Sequence, residues 1–106
     1  MVTVDYNRCM RVISEKALRE FWIMHPDAEQ ALRTWLALVR RSTWQTPDDI
    51  KRDFATTSFL ANNRVVFNIR GNHYRLVVLV IYRPGHLYIR FIGTHSEYDR
   101  IDAENI

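Results

Sequence analysis

The residues of this chain best suited to chemistry are five arginines within residues 64–95, a stretch that contains no aspartate or glutamate. Guanidinium groups keep their charge at physiological pH and bind phosphate oxygens through paired hydrogen bonds. Like charges on neighbouring strands repel one another unless an anion or a partner relieves the repulsion. The stretch therefore favours a polyanion such as RNA as its ligand. The five arginines are Arg64, Arg70, Arg75, Arg83 and Arg90.

A second group of reactive side chains follows directly, in the sequence Thr94-His95-Ser96-Glu97-Tyr98-Asp99. Histidine is the side chain that ordinarily titrates near neutral pH, which suits His95 to general acid or base chemistry. The alternative is a capping or structural cluster at the end of a strand. The pattern by itself leaves both interpretations open.

The formal net charge of +3 is unevenly distributed along the chain. Residues 1–63 carry nine basic and eight acidic side chains, residues 64–95 add the five arginines, and residues 96–106 carry one arginine and four acids. A nearly neutral half, a basic stretch and an acidic end predict a localised anion-binding surface rather than a uniformly basic protein.

The arginines lie in segments that alternate between apolar and polar residues, the pattern of half-buried β-strands. Turn residues at Gly71-Asn72 and Pro84-Gly85 divide them into three antiparallel strands. Before them the sequence predicts a short strand at 10–14 and helices at 15–24, 28–41 and 46–54, with Asp27 capping the second helix. This order predicts an α+β fold, with an N-terminal strand and helices packed on one face of an antiparallel β-sheet.

The register of the strands decides where the arginines point. With a two-residue turn at Gly71-Asn72, Asn68 pairs with Arg75, and a one-residue slip would bury the charges. Strict alternation also turns His95 toward the core, unless a bulge at Gly93 re-aims it. The predicted core face carries Val65, Phe67, Ile69, Tyr74, Leu76, Val78, Val80, Tyr82, Leu87, Ile89 and Phe91. The opposite face carries Arg64, Asn68, Arg70, His73, Arg75, Tyr88, Arg90, Ile92 and Thr94.

Length and composition limit the class of protein. A chain of 106 residues with 47% hydrophobic residues fits one domain with its own core. The single cysteine, Cys9, can form no internal disulfide and has no metal-ligand spacing. No apolar run approaches the roughly 20 residues that span a bilayer. Met10 opens a stretch typical of a native start, so we expect residues 1–9 to be an N-terminal extension, residues 10–106 a single domain, and the protein to be cytoplasmic.

Three segments together resemble the HigB-type mRNA interferase toxins, part of the RelE-like group of toxins from type II toxin–antitoxin systems. The segments are MRVISEKAL, VVFNIRGNHYRLVVLV and YIRFIGTHSEYD, and the resemblance covers residues 10–100. It implies an α+β toxin and an endoribonuclease that cleaves mRNA during translation on the ribosome, without a metal or other cofactor. It also implies a partner antitoxin that carries a helix-turn-helix domain. The toxin would contact operator DNA only as part of its complex with that antitoxin, and it would not act at a membrane.

The resemblance and the arginine pattern together suggest roles for individual residues. We expect Arg75 and Arg90 to hold the scissile phosphate while the 2′-hydroxyl attacks it, with His95 the first and Tyr98 the second candidate for proton transfer. Glu97 and Asp99 either orient His95 or only solvate the chain end. The residues expected to bind the RNA are Lys16, Arg64, Asn68, Arg70 and His73 along its backbone, and Tyr88 against a base. Arg83 is expected to be an ordinary surface residue.

Three other interpretations use the same residues. The first is a non-catalytic module that binds RNA or the ribosome through the arginines. The second is a gyrase-inhibiting toxin on the same scaffold. The third is an interaction protein whose basic face only receives an acidic segment of an antitoxin.

Overall fold

The computed structural model describes residues 9–106, so the N-terminal extension expected over residues 1–9 lies, apart from Cys9, outside the described residues. Within them, five strands form one sheet in the order β1-β5-β4-β3-β2. The elements are β1 (Arg11–Ile13), α1 (Glu15–Met24), a 3-10 turn (Pro26–Ala28), α2 (Glu29–Arg41), α3 (Pro47–Asp53), β2 (Ser58–Phe59), β3 (Arg64–Ile69), β4 (Tyr74–Ile81), β5 (His86–Thr94) and α4 (His95–Tyr98).

The predicted α+β fold is confirmed, with two differences in the sheet. β1 pairs with β5 in parallel, so the sheet is mixed rather than antiparallel throughout. A two-residue strand, β2, forms within the segment between α3 and β3 and pairs with the edge of β3. The strands β3, β4 and β5 are antiparallel to their neighbours, as predicted.

The helices cover one face of the sheet because their apolar residues recur at helical spacing. On α2 these residues are Leu32, Trp35, Leu36 and Val39, all buried. The Trp35 ring meets Phe67 of β3 edge to face, with the ring centres 5.3 Å apart. Burying each such side chain contributes roughly 1.5–3 kcal/mol to the stability of the fold. No helix within residues 9–106 has the length and apolar character needed to cross a membrane.

The β3–β4 hairpin has the predicted register. Asn68 pairs with Arg75, and the amide of His73 donates to the carbonyl oxygen of Arg70 at 3.2 Å, which closes a tight turn through Gly71 and Asn72. Gly71 has a φ of +64°, a conformation that glycine adopts without strain. The predicted core-facing residues of both strands are buried: Val65, Phe67, Ile69, Tyr74, Leu76, Val78 and Val80.

The end of β5 departs from the predicted alternation because the strand contains a β-bulge. Val78 pairs with Ile89 but Val77 pairs with Phe91, so Arg90 is an extra residue. One extra residue reverses which side of the sheet every later side chain faces. The prediction that Phe91 faces the helices is therefore wrong, as is the placement of Ile92 on the polar side. Ile92 packs in the main core, and the bulge lies at Arg90 rather than at Gly93.

The sheet face opposite the helices, called the outer face below, is partly covered by the C-terminal segment. Val66 and Val77 are buried beneath this segment in a small apolar cluster. Arg64 donates to the main-chain oxygen of Ile106, and the side chain of Asn62 donates to the main-chain oxygen of Glu104 at 3.1 Å. The outer face is thus not an open polar surface along its whole length. The other members of the cluster are Leu60, Phe91, Tyr98, Ile101, Ala103 and Ile106.

A hydrogen bond to the helical layer anchors the start of β4. The hydroxyl of Tyr74 donates to a carboxylate oxygen of Asp27 at 2.5 Å, and Arg70 lies 3.5 Å from the other oxygen. Asp27 therefore does not cap the second helix as predicted, because its carboxylate is used in tertiary contacts. The hydrogen bond from Tyr74 and the charge of Arg70 lower the pKa of Asp27. The same hydrogen bond, together with burial, raises the pKa of Tyr74.

Replacing Tyr74 with phenylalanine should lower the midpoint of thermal unfolding by a few degrees near neutral pH, because the buried ring remains while the hydrogen bond is lost. The lowered pKa of Asp27 stabilises the fold above its ordinary value of 3.8, and this contribution is lost as the pH falls through the lower folded value. The raised pKa of Tyr74 stabilises the fold below 10.0, and that contribution is lost as the pH rises through the higher folded value.

The difference in melting temperature between the wild type and Tyr74→Phe should therefore be largest between pH 3.8 and pH 10.0. It should become smaller in stronger acid and in stronger base. Thermal melts followed by circular dichroism across the pH range measure it. A difference that stays constant into acid would show that the bond to Asp27 contributes nothing.

Candidate functional site

Polar side chains of the outer face are concentrated at one end of the sheet. Side chains of paired residues on this face line up in rows across β3, β4 and β5. The row nearest α4 is named the polar row, the middle row is apolar, and the third row has Leu79 between Arg64 and Tyr88. The rows are Asn68–Arg75–Gly93 (the polar row), Val66–Val77–Phe91, and Arg64–Leu79–Tyr88.

The guanidinium group of Arg75 is held between a turn residue and an aromatic ring. Its Nη1 donates to Oδ1 of Asn72 at 2.6 Å, and its Cζ lies 5.9 Å from the ring centre of Tyr98. Arginine only donates hydrogen bonds, so the amide oxygen of Asn72 is the atom that must face it. The remaining N–H groups of Arg75 can bind an oxyanion.

The short helix α4 begins where β5 ends, and its start is fixed by a capping box. The Glu97 amide donates to the Thr94 hydroxyl at 3.2 Å, and the Thr94 amide donates to the Glu97 carboxylate at 2.8 Å. This cap directs Tyr98 back over the sheet, where its ring lies 6.4 Å from that of Phe91. On the same turn, Nδ1 of His95 lies 3.4 Å from Oδ2 of Asp99. The segment therefore combines a helix cap with a histidine–carboxylate pair.

Gly93 allows α4 to close tightly over the polar row. A Cβ atom built at this position would lie 2.5 Å from Cζ of Phe91 and 2.7 Å from Oε1 of Glu97. Gly93 pairs with Arg75 in the sheet. The Glu97 carboxylate thus lies above the immediate neighbour of Arg75, and it brings a negative charge to a surface whose strands carry none.

The four arginines predicted to share one surface do not all gather at one place, because Arg64 and Arg70 make contacts elsewhere. Arg64 lies in the row farthest from α4 and bonds the C-terminal segment. Arg70 has a φ of +52°, which takes it out of the extended conformation of the strand, and it contacts Asp27 of the helical layer. Arg75 lies in the polar row. Arg90 is exposed at the bulge of β5.

The other residues predicted to bind RNA have different surroundings. Asn68 belongs to the polar row, and its amide donates to the Thr56 carbonyl at 3.3 Å. His73 is exposed in the turn, with Nδ1 3.0 Å from the Arg70 carbonyl oxygen. The Tyr88 hydroxyl lies 3.3 Å from His86 on β5. Lys16 belongs to the helical layer, where its exposed amine lies 3.7 Å from Glu20. Their roles in RNA binding stay predictions.

Two residues that support the site were not assigned to it from the sequence. Asn72 lies within the tight turn, three residues before Arg75 on β4, and this short spacing lets the two side chains meet. Asp27 contacts β4 only through the tertiary fold, so the sequence gives no signal for its pairing with Tyr74. Among residues 9–106, no three His, Cys, Asp or Glu side chains are grouped closely enough to hold a metal ion.

The geometry combines two chemical capacities at the α4 end of the sheet. Arg75 offers oriented N–H donors to a phosphate, and such donors stabilise the negative charge that grows on its oxygens during transfer. Tyr98 carries a hydroxyl, and His95 an imidazole next to a carboxylate, both within one helical turn of each other. These are groups that transfer protons.

Comparison with known proteins places this architecture in a family. A family model described as HigB_toxin, RelE-like toxic component of a toxin-antitoxin system, matches residues 28–101. The "mRNA interferase toxin HigB" of Escherichia coli strain K12 is 28% identical over 96 residues, which cover 89% of this chain and 92% of that protein. The proteins named "mRNA interferase HigB" from Escherichia coli O157:H7 and Shigella flexneri match with the same identity and coverage.

The class of protein that the fold and the comparisons define is a RelE-like toxin. Since the family model covers well over half of the chain, the protein belongs to the HigB toxin family. A toxic component of a toxin–antitoxin system has an antitoxin as its partner.

Replacing Gly93 with alanine should lower the free energy of unfolding by roughly 1–3 kcal/mol, because the new methyl group collides with Phe91 and Glu97. Denaturant unfolding measures this loss. Gly71→Ala provides a comparison, because no atom lies within 4 Å of its Cβ position and only the φ of +64° opposes the substitution. We expect that variant to lose roughly 1 kcal/mol. Equal losses in the two variants would contradict a steric role for Gly93.

Proposed function

We propose that this protein is an mRNA interferase, the endoribonuclease toxin of a type II toxin–antitoxin module. The observation that carries the proposal is the placement of Arg75 against Tyr98, beside the turn that bears the His95–Asp99 pair. The relatives named mRNA interferases support the reaction type. Both the phosphate-binding and the proton-transfer groups are side chains, so the proposal invokes no metal or other cofactor.

The proposed reaction is attack of a ribose 2′-hydroxyl on the adjacent phosphate. The 2′-oxygen loses its proton and forms a bond to phosphorus, while the bond from phosphorus to the 5′-oxygen breaks and that oxygen gains a proton. Arg75 and Arg90 bind the non-bridging oxygens, where negative charge increases as the 2′-oxygen attacks. His95 is the first candidate to move a proton, and Tyr98 is the second.

Asp99 has a position that suits it to assist His95. Its carboxylate lies 3.4 Å from Nδ1 of the ring, so it favours a ring that carries a proton there. The Glu97 carboxylate instead accepts from the Thr94 amide and fixes the start of α4. Of the two acids, Asp99 is therefore the one proposed to orient His95, and Glu97 is proposed to hold the helix.

The RNA is proposed to cross the polar row and continue onto neighbouring elements. Asn68 lies next to Arg75 in that row, and His73 and Arg70 extend the polar surface around the hairpin turn. Tyr88 is proposed to stack on a base, which aromatic rings do in single-stranded RNA. Arg64 and Lys16 lie farther away, so they are proposed to guide the RNA backbone outside the reacting centre.

The partners and location of the toxin are proposed on the same basis. The substrate is mRNA, cleaved in the cytoplasm while the ribosome translates it. The antitoxin is proposed to carry a helix-turn-helix domain, and contact with operator DNA is made only through the toxin–antitoxin complex.

Arg75→Ala and Arg90→Ala should each abolish growth inhibition, because each removes a donor to the phosphate. Expression without the antitoxin, followed by mapping of transcript 5′ ends, measures both growth and cleavage. Circular dichroism verifies that the variants are folded. Arg83→Ala is the matched control, since Arg83 is an exposed arginine in the turn between β4 and β5. Full toxicity of either active-site variant would refute the phosphate role of that residue.

His95→Ala and Tyr98→Phe distinguish a nuclease from a module that only binds RNA. If these groups transfer protons, cleavage should fall by about 10²- to 10⁴-fold in at least one variant while RNA binding changes little. Cleavage rates and a parallel binding titration measure the two properties separately. Unchanged growth inhibition in both variants, without transcript cleavage, would favour the non-catalytic module. DNA damage without cleavage would favour a gyrase inhibitor.

A further inference from the structure

Asn72 is the residue of the β3–β4 turn whose side chain reaches the proposed active site. Its Oδ1 accepts a 2.6 Å hydrogen bond from Nη1 of Arg75, which lies three residues further along the chain on β4. The turn itself is closed by the main chain, where the His73 amide donates to the Arg70 carbonyl. The side-chain amide is therefore not needed to close the turn, and its contact with Arg75 calls for another explanation.

The second contact of Arg75 explains why such a bond matters. A guanidinium group on a long flexible side chain loses much conformational freedom when it is fixed in one geometry. The Tyr98 ring lies on one side of the group at 5.9 Å, but a ring face restrains direction only weakly. The hydrogen bond that Arg75 donates to Asn72 adds a directional restraint on a single N–H group. It uses one of the five N–H donors of Arg75 and leaves the others available to an oxyanion.

We infer that Asn72 is a positioning residue for the cleavage reaction, which holds Arg75 in the orientation that binds the scissile phosphate. The inference rests on the proposed function, since it assigns Asn72 no role apart from Arg75. Asn72 acts before the substrate arrives, so its loss should affect the reacting geometry more than the binding of RNA as a whole. Misplacing a catalytic group by about 1 Å can cost up to 10²-fold in rate.

The experiment compares Asn72→Ala and Asn72→Ser with the wild type, with Arg75→Ala and with a control. Serine is favoured in turns but its hydroxyl is too short to replace the amide, so it removes the bond while it preserves the turn. Gln30→Ala is the control, because Gln30 is an exposed amide on α2 in the helical layer. Two measurements are made: the NMR signals of the Arg75 guanidinium group, and the single-turnover rate of mRNA cleavage in a translating extract at increasing toxin concentration.

We expect both Asn72 variants to lose the restricted rotation of the Arg75 guanidinium group and to cleave about tenfold more slowly at saturation. The toxin concentration that gives half the maximal rate should change less than about twofold. Gln30→Ala should match the wild type in both measurements.

The inference is overturned if either Asn72 variant leaves the Arg75 signals or the saturating rate unchanged while Arg75→Ala has lost cleavage. It is also overturned if the variants only weaken the apparent affinity. An Arg75→Ala variant that cleaves at the wild-type rate would instead refute the proposed role of Arg75, and with it the proposed mechanism. The two failures are therefore distinguishable.

Discussion

One inserted residue in β5 determines which side chains this sheet presents to a substrate. Arg90 forms a bulge between the pairs Val78–Ile89 and Val77–Phe91, and every residue after it faces the opposite way from strict alternation. Ile92 consequently fills the main core, and Gly93 lies beside Arg75 on the outer face. Without the bulge, Arg90 would take the place of Phe91 opposite Val77, and Ile92 would take the place of Gly93 opposite Arg75.

Two anchors on either side of the sheet hold the polar row in place. On the outer side, the capping box of Thr94 and Glu97 fixes α4 and so the position of Tyr98. On the helical side, Asp27 fixes Tyr74, which precedes Arg75 and pairs with Thr94. Both anchors act on the same pair of neighbouring strands. The proposed reacting groups are exposed or half-buried, but the backbone that carries them is attached to the core from both directions.

The sequence predicts the local parts of this arrangement and misses those that depend on tertiary contact. The hairpin was predictable because a Gly-Asn turn and two alternating strands allow a single register, which places Asn68 opposite Arg75. The sequence suggested a bulge at Gly93, three residues after its actual position at Arg90, because alternating sequences carry little information about where an extra residue is inserted. Arg70 departs from the predicted surface because its own φ is positive, which allows its charge to pair with Asp27.

In the sequence, the C-terminal residues 96–106 stand out as a group only by their acidic charge. Their apolar members Ile101 and Ala103 instead lie against the sheet, where they reduce the area left for a ligand. The site therefore occupies the α4 end of the outer face alone. Nothing in the sequence indicated that the C-terminal segment covers part of the sheet, because three apolar residues dispersed among acids do not form a recognisable pattern.

The way this segment is attached has a consequence for sequence divergence. Asn62 and Arg64 bind the main-chain oxygens of Glu104 and Ile106, not their side chains. Every amino acid supplies that oxygen, so substitutions at position 104 preserve the attachment. Homologous toxins can therefore carry a different charge at position 104 while the segment keeps the same path across the sheet.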